Sequence, residues 1–100
     1  MGALEELIAE ARALLRDVAQ ARGSPEAGRL AALAERATEL RDSVEVASLE
    51  LPDVRAAGLL ADAAASLWLC LRAAETGDDD RASDNWEQAG YYLDAAEQLS

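Results

Sequence analysis

Apolar residues recur at intervals of three and four along nearly the whole chain, and the pattern breaks in only three places. The first stripe is Leu4, Leu7, Ile8, Ala11, Leu14, Leu15 and Val18, with Glu5, Glu6, Arg12, Arg16 and Gln20 on the other side. That spacing puts the apolar side chains on one face of an α-helix. A chain built from such segments can satisfy them only by packing helix against helix.

The breaks carry the chemistry of helix ends. Gly23-Ser24-Pro25-Glu26 reads as a stop and a restart, with Gly at the C-terminal end, Ser as N-cap, Pro in the first helical position and Glu in the first turn. A second stripe follows: Leu30, Leu33, Ala34, Ala37, Leu40 and Val44, extendable through Ala47 and Ser48 to Leu51. Val44-Glu45-Val46 and Leu49-Glu50-Leu51 also alternate with period two, which leaves an early end in a short extended connection as an alternative. Pro52 disfavours a helical Leu51 and ends the segment by that point. Gly77 closes the third segment, and Asp78-Asp79-Asp80 supplies a cap and negative charge where the macrodipole of the fourth helix favours them.

The expected helices are therefore about 3–22, 25–47, 53–76 and 80–99. Four helices of about twenty residues, each about 30 Å long and joined by short turns, predict an all-α fold, an antiparallel four-helix bundle. One hundred residues support one modest core, so residues 1–100 are expected to form a single domain. Composition agrees: about a quarter of the chain is Ala, with many Leu, Glu and Arg, all strong helix formers. Rich Ala with Arg as the only basic residue is a bias associated with GC-rich bacterial or phage genomes.

The third helix is unusual. Between Ala56 and Leu71 it holds one charge, Asp62. The stretch is too short and too rich in Ala for a membrane span and has Asp62 near its middle, so a helix buried on most of its circumference is expected. Its strongest stripe is Ala57, Leu60, Ala61, Ala64, Leu67, Trp68, Leu71 and Ala74. The opposite side carries Arg55, Leu59, Asp62, Ser66, Leu69 and Ala73, with Cys70 at its edge, and is far less polar than a solvent face normally is. In the fourth helix Ala82, Trp86, Ala89, Leu93 and Ala96 point inward, flanked by Tyr92 and Leu99, while Tyr91 points outward. Both Trp residues read as core anchors.

Reaction chemistry is hard to place on this chain. It has no His, which removes the usual general base, the usual metal ligand and the Glu-x-x-His pairs of di-iron bundles. Cys70 lies in Leu-Cys-Leu on the apolar helix, where a thiol is inert. Carboxylates four apart, such as Glu6 with Glu10, Glu35 with Glu39 and Asp80 with Asp84, share helical faces but lack a closed loop. Asp78 to Asp80 misses the Gly and terminal Glu of a calcium loop. No catalytic residue, cofactor or metal is expected.

Nine Arg against twenty acidic residues give a formal net charge of −11. Phosphate binding draws on counterion release by Lys and Arg, so direct nucleic-acid binding and anionic membranes are disfavoured. With one Cys and no basic or apolar leader pattern at Met1-Gly2-Ala3-Leu4, the chain reads as cytoplasmic.

Asp42-Ser43-Val44-Glu45 resembles the Asp-Ser-Leu attachment site of acyl carrier proteins, which are also small, acidic and four-helical. The resemblance implies a phosphopantetheine arm on Ser43. In that family the Ser opens a helix after a long loop, whereas Ala34 to Arg41 here is a continuing amphipathic helix, no Gly precedes the Ser, and Leu51-Pro52 follows soon after. Trp86-Glu87-Gln88-Ala89-Gly90 is similar to the start of the 34-residue helical repeat, without a second copy in the chain.

The expected function is a non-enzymatic protein–protein interaction module. It would self-associate as a homodimer, or dock a protein partner, through the apolar back of helix three, with Leu59, Asp62, Ser66, Leu69 and Tyr91 as candidate interface residues. The alternative is a small acidic inhibitor or antidote, such as a phage anti-defence protein, an antitoxin or a nucleic-acid mimic, acting on a basic protein. The carrier reading at Ser43 stands behind both.

Overall fold

The computed structural model describes residues 2–50 and 54–99. They form four helices and no strand: α1 (Ala3–Gly23), α2 (Ala27–Ala47), α3 (Val54–Glu75) and α4 (Asp79–Gln98). The molecule measures 39 × 21 × 17 Å, about one helix length by two helix widths, as four helices packed side by side require. The helices pack as a four-helix bundle with α3 at its centre. Within it α3 packs against all three others, most extensively against α4 and then α2, while α2 and α4 do not touch.

This arrangement follows from side-chain size. The buried face of α4 is Ala82, Ala89, Leu93 and Ala96, and α3 buries Ala56, Ala57, Ala63, Ala64 and Ala73 alongside Leu60, Leu67 and Leu71. Small side chains let helix axes approach closely. Helix α1 contributes the bulkier stripe read from the sequence, together with Ala21, and α2 buries Leu30, Leu33, Ala37, Leu40 and Val44. All of these join one continuous core.

Where hydrophobic contact is thinnest, polar contacts take over. Along the seam between α1 and α4 the indole N–H of Trp86 donates to the Leu15 carbonyl at 2.9 Å. Half a helix away, the Arg12 guanidinium donates to Glu97 at 2.7 Å and also to Asp94. These two carboxylates hold the Arg12 pKa well above its ordinary value, and Arg12 in turn pulls the Glu97 carboxyl below its own. Between α1 and α2, Arg36 donates to Asp17 at 2.8 Å.

The helix ends are as expected at α3–α4 and shifted at α1–α2. Gly77 has φ +77°, the Gly77 N–H bonds the Ala74 carbonyl at 3.2 Å and the Asp78 N–H bonds the Ala73 carbonyl at 2.9 Å. This is a Schellman closure, which needs the left-handed residue that Gly supplies without a Cβ clash. Asp78 then caps α4, its carboxylate accepting from the Arg81 N–H at 3.1 Å. At the first turn, by contrast, α2 starts at Ala27 with Glu26 as an N-cap that makes no side-chain bond. Ser24 instead terminates α1, its N–H bonded to the Ala21 carbonyl, so Ser24-Pro25 belongs to the connection and α2 begins two residues later than the sequence suggests. Helix α2 runs helically through Val46 to Ala47, where a turn over residues 48–50 follows, so the period-two alternative fails as far as Glu50. The reading of Leu51 and Pro52 lies outside the described residues.

Candidate interaction face

Helix α3 has the length and apolar content of a membrane span, and only half of that stretch is buried in the bundle. The uncovered half is where a candidate surface has to be sought. Its buried arc runs through Ala56, Leu60, Ala63, Leu67 and Cys70, widened by Ala57, Ala64, Leu71 and Ser66. The arc left outside holds Val54, Arg55, Gly58, Asp62, Trp68, Leu69 and Arg72.

The five residues expected to form the interface are thereby separated. Asp62 and Leu69, seven apart and hence on one line along the helix, are both exposed, Leu69 to 47%. Ser66 is buried, and Leu59 is half-buried against the core, because α4 covers the flank of α3 on which they stand. Tyr91 is 73% exposed on the outer side of α4, opposite that helix's buried stripe, and belongs to a different surface. Of the back face read from the sequence, Arg55, Asp62 and Leu69 are exposed, Leu59 is half-buried, and Ser66 and Ala73 are buried, so the exposed arc is rotated by about a quarter of a turn from the expected one.

Trp68 was expected in the core and instead stands at the rim, 39% exposed. The Arg72 guanidinium carbon lies 5.5 Å from the Trp68 ring centroid, a cation–π pair at a solvated site, and Arg72 also reaches Glu75 at 3.8 Å. Together Trp68 and Leu69 form one wall of a groove of about 410 Å³ between α3 and α2, with Ala64 and Ala65 as floor and Thr38, Arg41, Asp42 and Glu45 as the facing wall. The residues missed in the sequence are thus Trp68, Arg72 and the α2 wall. A usable signal existed: the seven-residue spacing of Ala56, Ala63 and Cys70 beside Leu60 and Leu67 places the helix's inward axis away from Trp68.

Charge is unevenly placed. Helix α3 carries Asp62 and Glu75 against Arg55 and Arg72, no net charge, whereas α4 carries six carboxylates against Arg81 alone. Asp62 makes no hydrogen bond or ion pair within the described residues. Burial pushes the Cys70 thiol above its ordinary pKa, with a smaller opposing pull from Arg22, which keeps it a packed neutral group. Ser43 is exposed inside α2, about one turn from its end, and lines a shallow groove with Glu10, Ala13, Leu14, Arg36, Glu39 and Leu40. It does not open a helix, which is the position a carrier attachment site takes. No group of three or more His, Cys, Asp or Glu able to hold a metal ion occurs among the described residues.

Compared with known proteins, the chain matches no family, no curated protein and no solved structure.

Proposed function

We propose that this chain is a non-enzymatic interaction module whose working surface is the outer face of α3 with its α2 groove, centred on Asp62, Trp68 and Leu69. The observation that carries the reading is the pairing of two large uncovered apolar side chains, Trp68 and Leu69, on the most apolar and least charged helix of an otherwise strongly acidic molecule. Exposed apolar and aromatic side chains beside a concave apolar floor are the kind of surface that protein interfaces bury. Asp62 and Arg41 at the edges supply orientation.

The test is capture of interacting chains, a second copy included, with the wild-type protein and with Leu69→Glu. Leu69 is half exposed, so the substitution leaves the fold in place while setting a charge in the contact. Loss of the captured chains supports the face; recovery of the same chains at the same yield with a folded Leu69→Glu protein removes it.

A second reading rests on the concentration of acid on α4. Its outward line around Tyr91 includes Asp84, Glu87, Gln88 and Asp94, which suits an inhibitor or antidote docking a basic protein. Binding of that kind weakens steeply with added salt. Salt-insensitive binding that depends on Leu69 decides for the α3 face.

A further inference from the structure

Resting on that reading of the α3 face, we infer that its occupant is a second copy of this chain, packed antiparallel on α3 about a two-fold axis that passes level with residue 67. The inference starts from the outer line of the helix. Gly58, Asp62, Ala65, Leu69, Arg72 and Thr76 follow one another by alternating steps of four and three, the spacing that keeps side chains along one seam of a helix pair. None of the six is buried within the chain, and Thr76 continues the line into the closing turn of α3. The line is about 27 Å long, enough to bind along a whole helix.

This line is complementary to its own reverse. A two-fold axis midway between Ala65 and Leu69 sets Ala65 opposite the second copy's residue 69, Asp62 opposite residue 72 and Gly58 opposite residue 76. Each opposition matches small with large or acid with base. An isologous contact needs this property, since every patch must fit its own copy. Other registers lack it. Placing the axis between Asp62 and Ala65 brings Arg55 against Arg72 of the second copy and leaves the carboxylate facing Ala65. A parallel pair sets Asp62 on Asp62 and Arg72 on Arg72.

Two further observations favour a copy over an unrelated chain. Asp62, the only charge in the apolar middle of α3, has no ion partner among the described residues, and the antiparallel register brings it an Arg. Helix α3 is also the one helix of the four whose charges balance, so it is the side on which two molecules of net charge −11 meet with least repulsion. Trp68, beside the line, is then carried to the edge of the contact, where its exposed portion is covered.

Sedimentation equilibrium with charge-reversal variants tests the register. The wild-type chain is expected to run at twice its chain mass. Asp62→Arg sets Arg against Arg and Arg72→Asp sets Asp against Asp, so each variant alone is expected to raise the dimer Kd at least tenfold. An equimolar mixture of the two restores both oppositions and is expected to recover the wild-type mass. Both positions are exposed, and circular dichroism checks that the helices persist; Asp62→Lys with Arg72→Glu repeats the test with different side chains. A wild-type chain monomeric at all concentrations overturns the second copy while leaving the wider reading to the Leu69→Glu capture. A dimer indifferent to both reversals overturns the register, and one indifferent also to Leu69→Glu removes the face altogether.

Discussion

The indole N–H of Trp86 on α4 donates to the main-chain carbonyl of Leu15 on α1 across 2.9 Å, joining two helices 71 residues apart in sequence. The Leu15 carbonyl is already inside α1, so the indole uses its second lone pair and the bond adds to the helix rather than replacing part of it. Trp86→Phe keeps an aromatic ring in the seam and removes the donor. The expected loss is about 0.5–1.5 kcal/mol, the net value of one hydrogen bond, with some added cost for the smaller ring. A denaturant midpoint lowered with an unchanged slope checks it. Wild-type stability for Trp86→Phe would mean that the bond contributes nothing.

Farther along the same seam, Arg12 links α1 to Asp94 and Glu97, and this contact makes stability depend on pH. Glu97 is held below its ordinary pKa chiefly by its hydrogen bond to Arg12. A carboxyl whose folded value is depressed contributes stability that is fully present above its unfolded value of about 4.3 and is lost as pH falls through the folded value. The side chains are partly exposed, so the contribution is that of a surface pair, about 0.2–1 kcal/mol. Arg12→Gln is expected to lower stability at pH 7 by that amount and to match the wild type once Glu97 is protonated. Thermal melts over an acid titration measure the convergence; a constant gap at all pH values counts against the pair.

Gly77 offers a test of backbone alone. Its φ of +77° lies in the left-handed region, and a Cβ built there meets no atom within 4 Å. Gly77→Ala therefore costs only the conformational strain, about 1–2 kcal/mol, with no clash added. Gly77→Asn should cost less, because Asn tolerates that region. Equal loss from both variants would show that something other than φ sets the penalty. Gly23 makes the contrast: it ends α1 without positive φ, so Gly23→Ala should be neutral or mildly stabilising.

Which features were legible follows from how local their causes are. The four stripes and the Gly77–Asp78 stop and cap depend on residues within one or two turns, and the spacing of Ala82, Ala89, Leu93 and Ala96 needed no partner to be read. The start of α2 depends on whether Ser24 caps forward or terminates backward, and both uses have the same sequence signature. The rotation of α3 was harder. Its circumference is apolar almost throughout, so hydrophobicity sets the inward direction only to within about a quarter of a turn. The choice falls to packing, where α4 brings Ala side chains close and covers Leu59 and Ser66. Trp68, the bulkiest residue of the helix, is left at the rim of the α2 groove, while Ala64 and Leu71 of the same stripe are fully buried.

The same rotation supplies the last prediction, made on two leucines two residues apart. Leu67 is fully buried and Leu69 is 47% exposed. The sequence pattern already sets Leu67 on the strongest apolar stripe of the helix and Leu69 on the opposite side, and their burial follows that division. Leu67→Ala removes a side chain from the centre of a close-packed bundle and is expected to cost 2–5 kcal/mol, roughly the usual range for such a cavity. Leu69→Glu changes size and charge far more, yet stands outside the core, and is expected to alter the unfolding free energy of the monomer by no more than about 0.5 kcal/mol. Denaturant titrations at concentrations low enough to exclude association compare them directly. Should Leu69→Glu destabilise the isolated chain as much as Leu67→Ala, Leu69 is a core residue and α3 is turned the other way. Neutrality at Leu69 leaves its exposure unexplained by folding, and a large apolar side chain that folding does not use is free to serve contact.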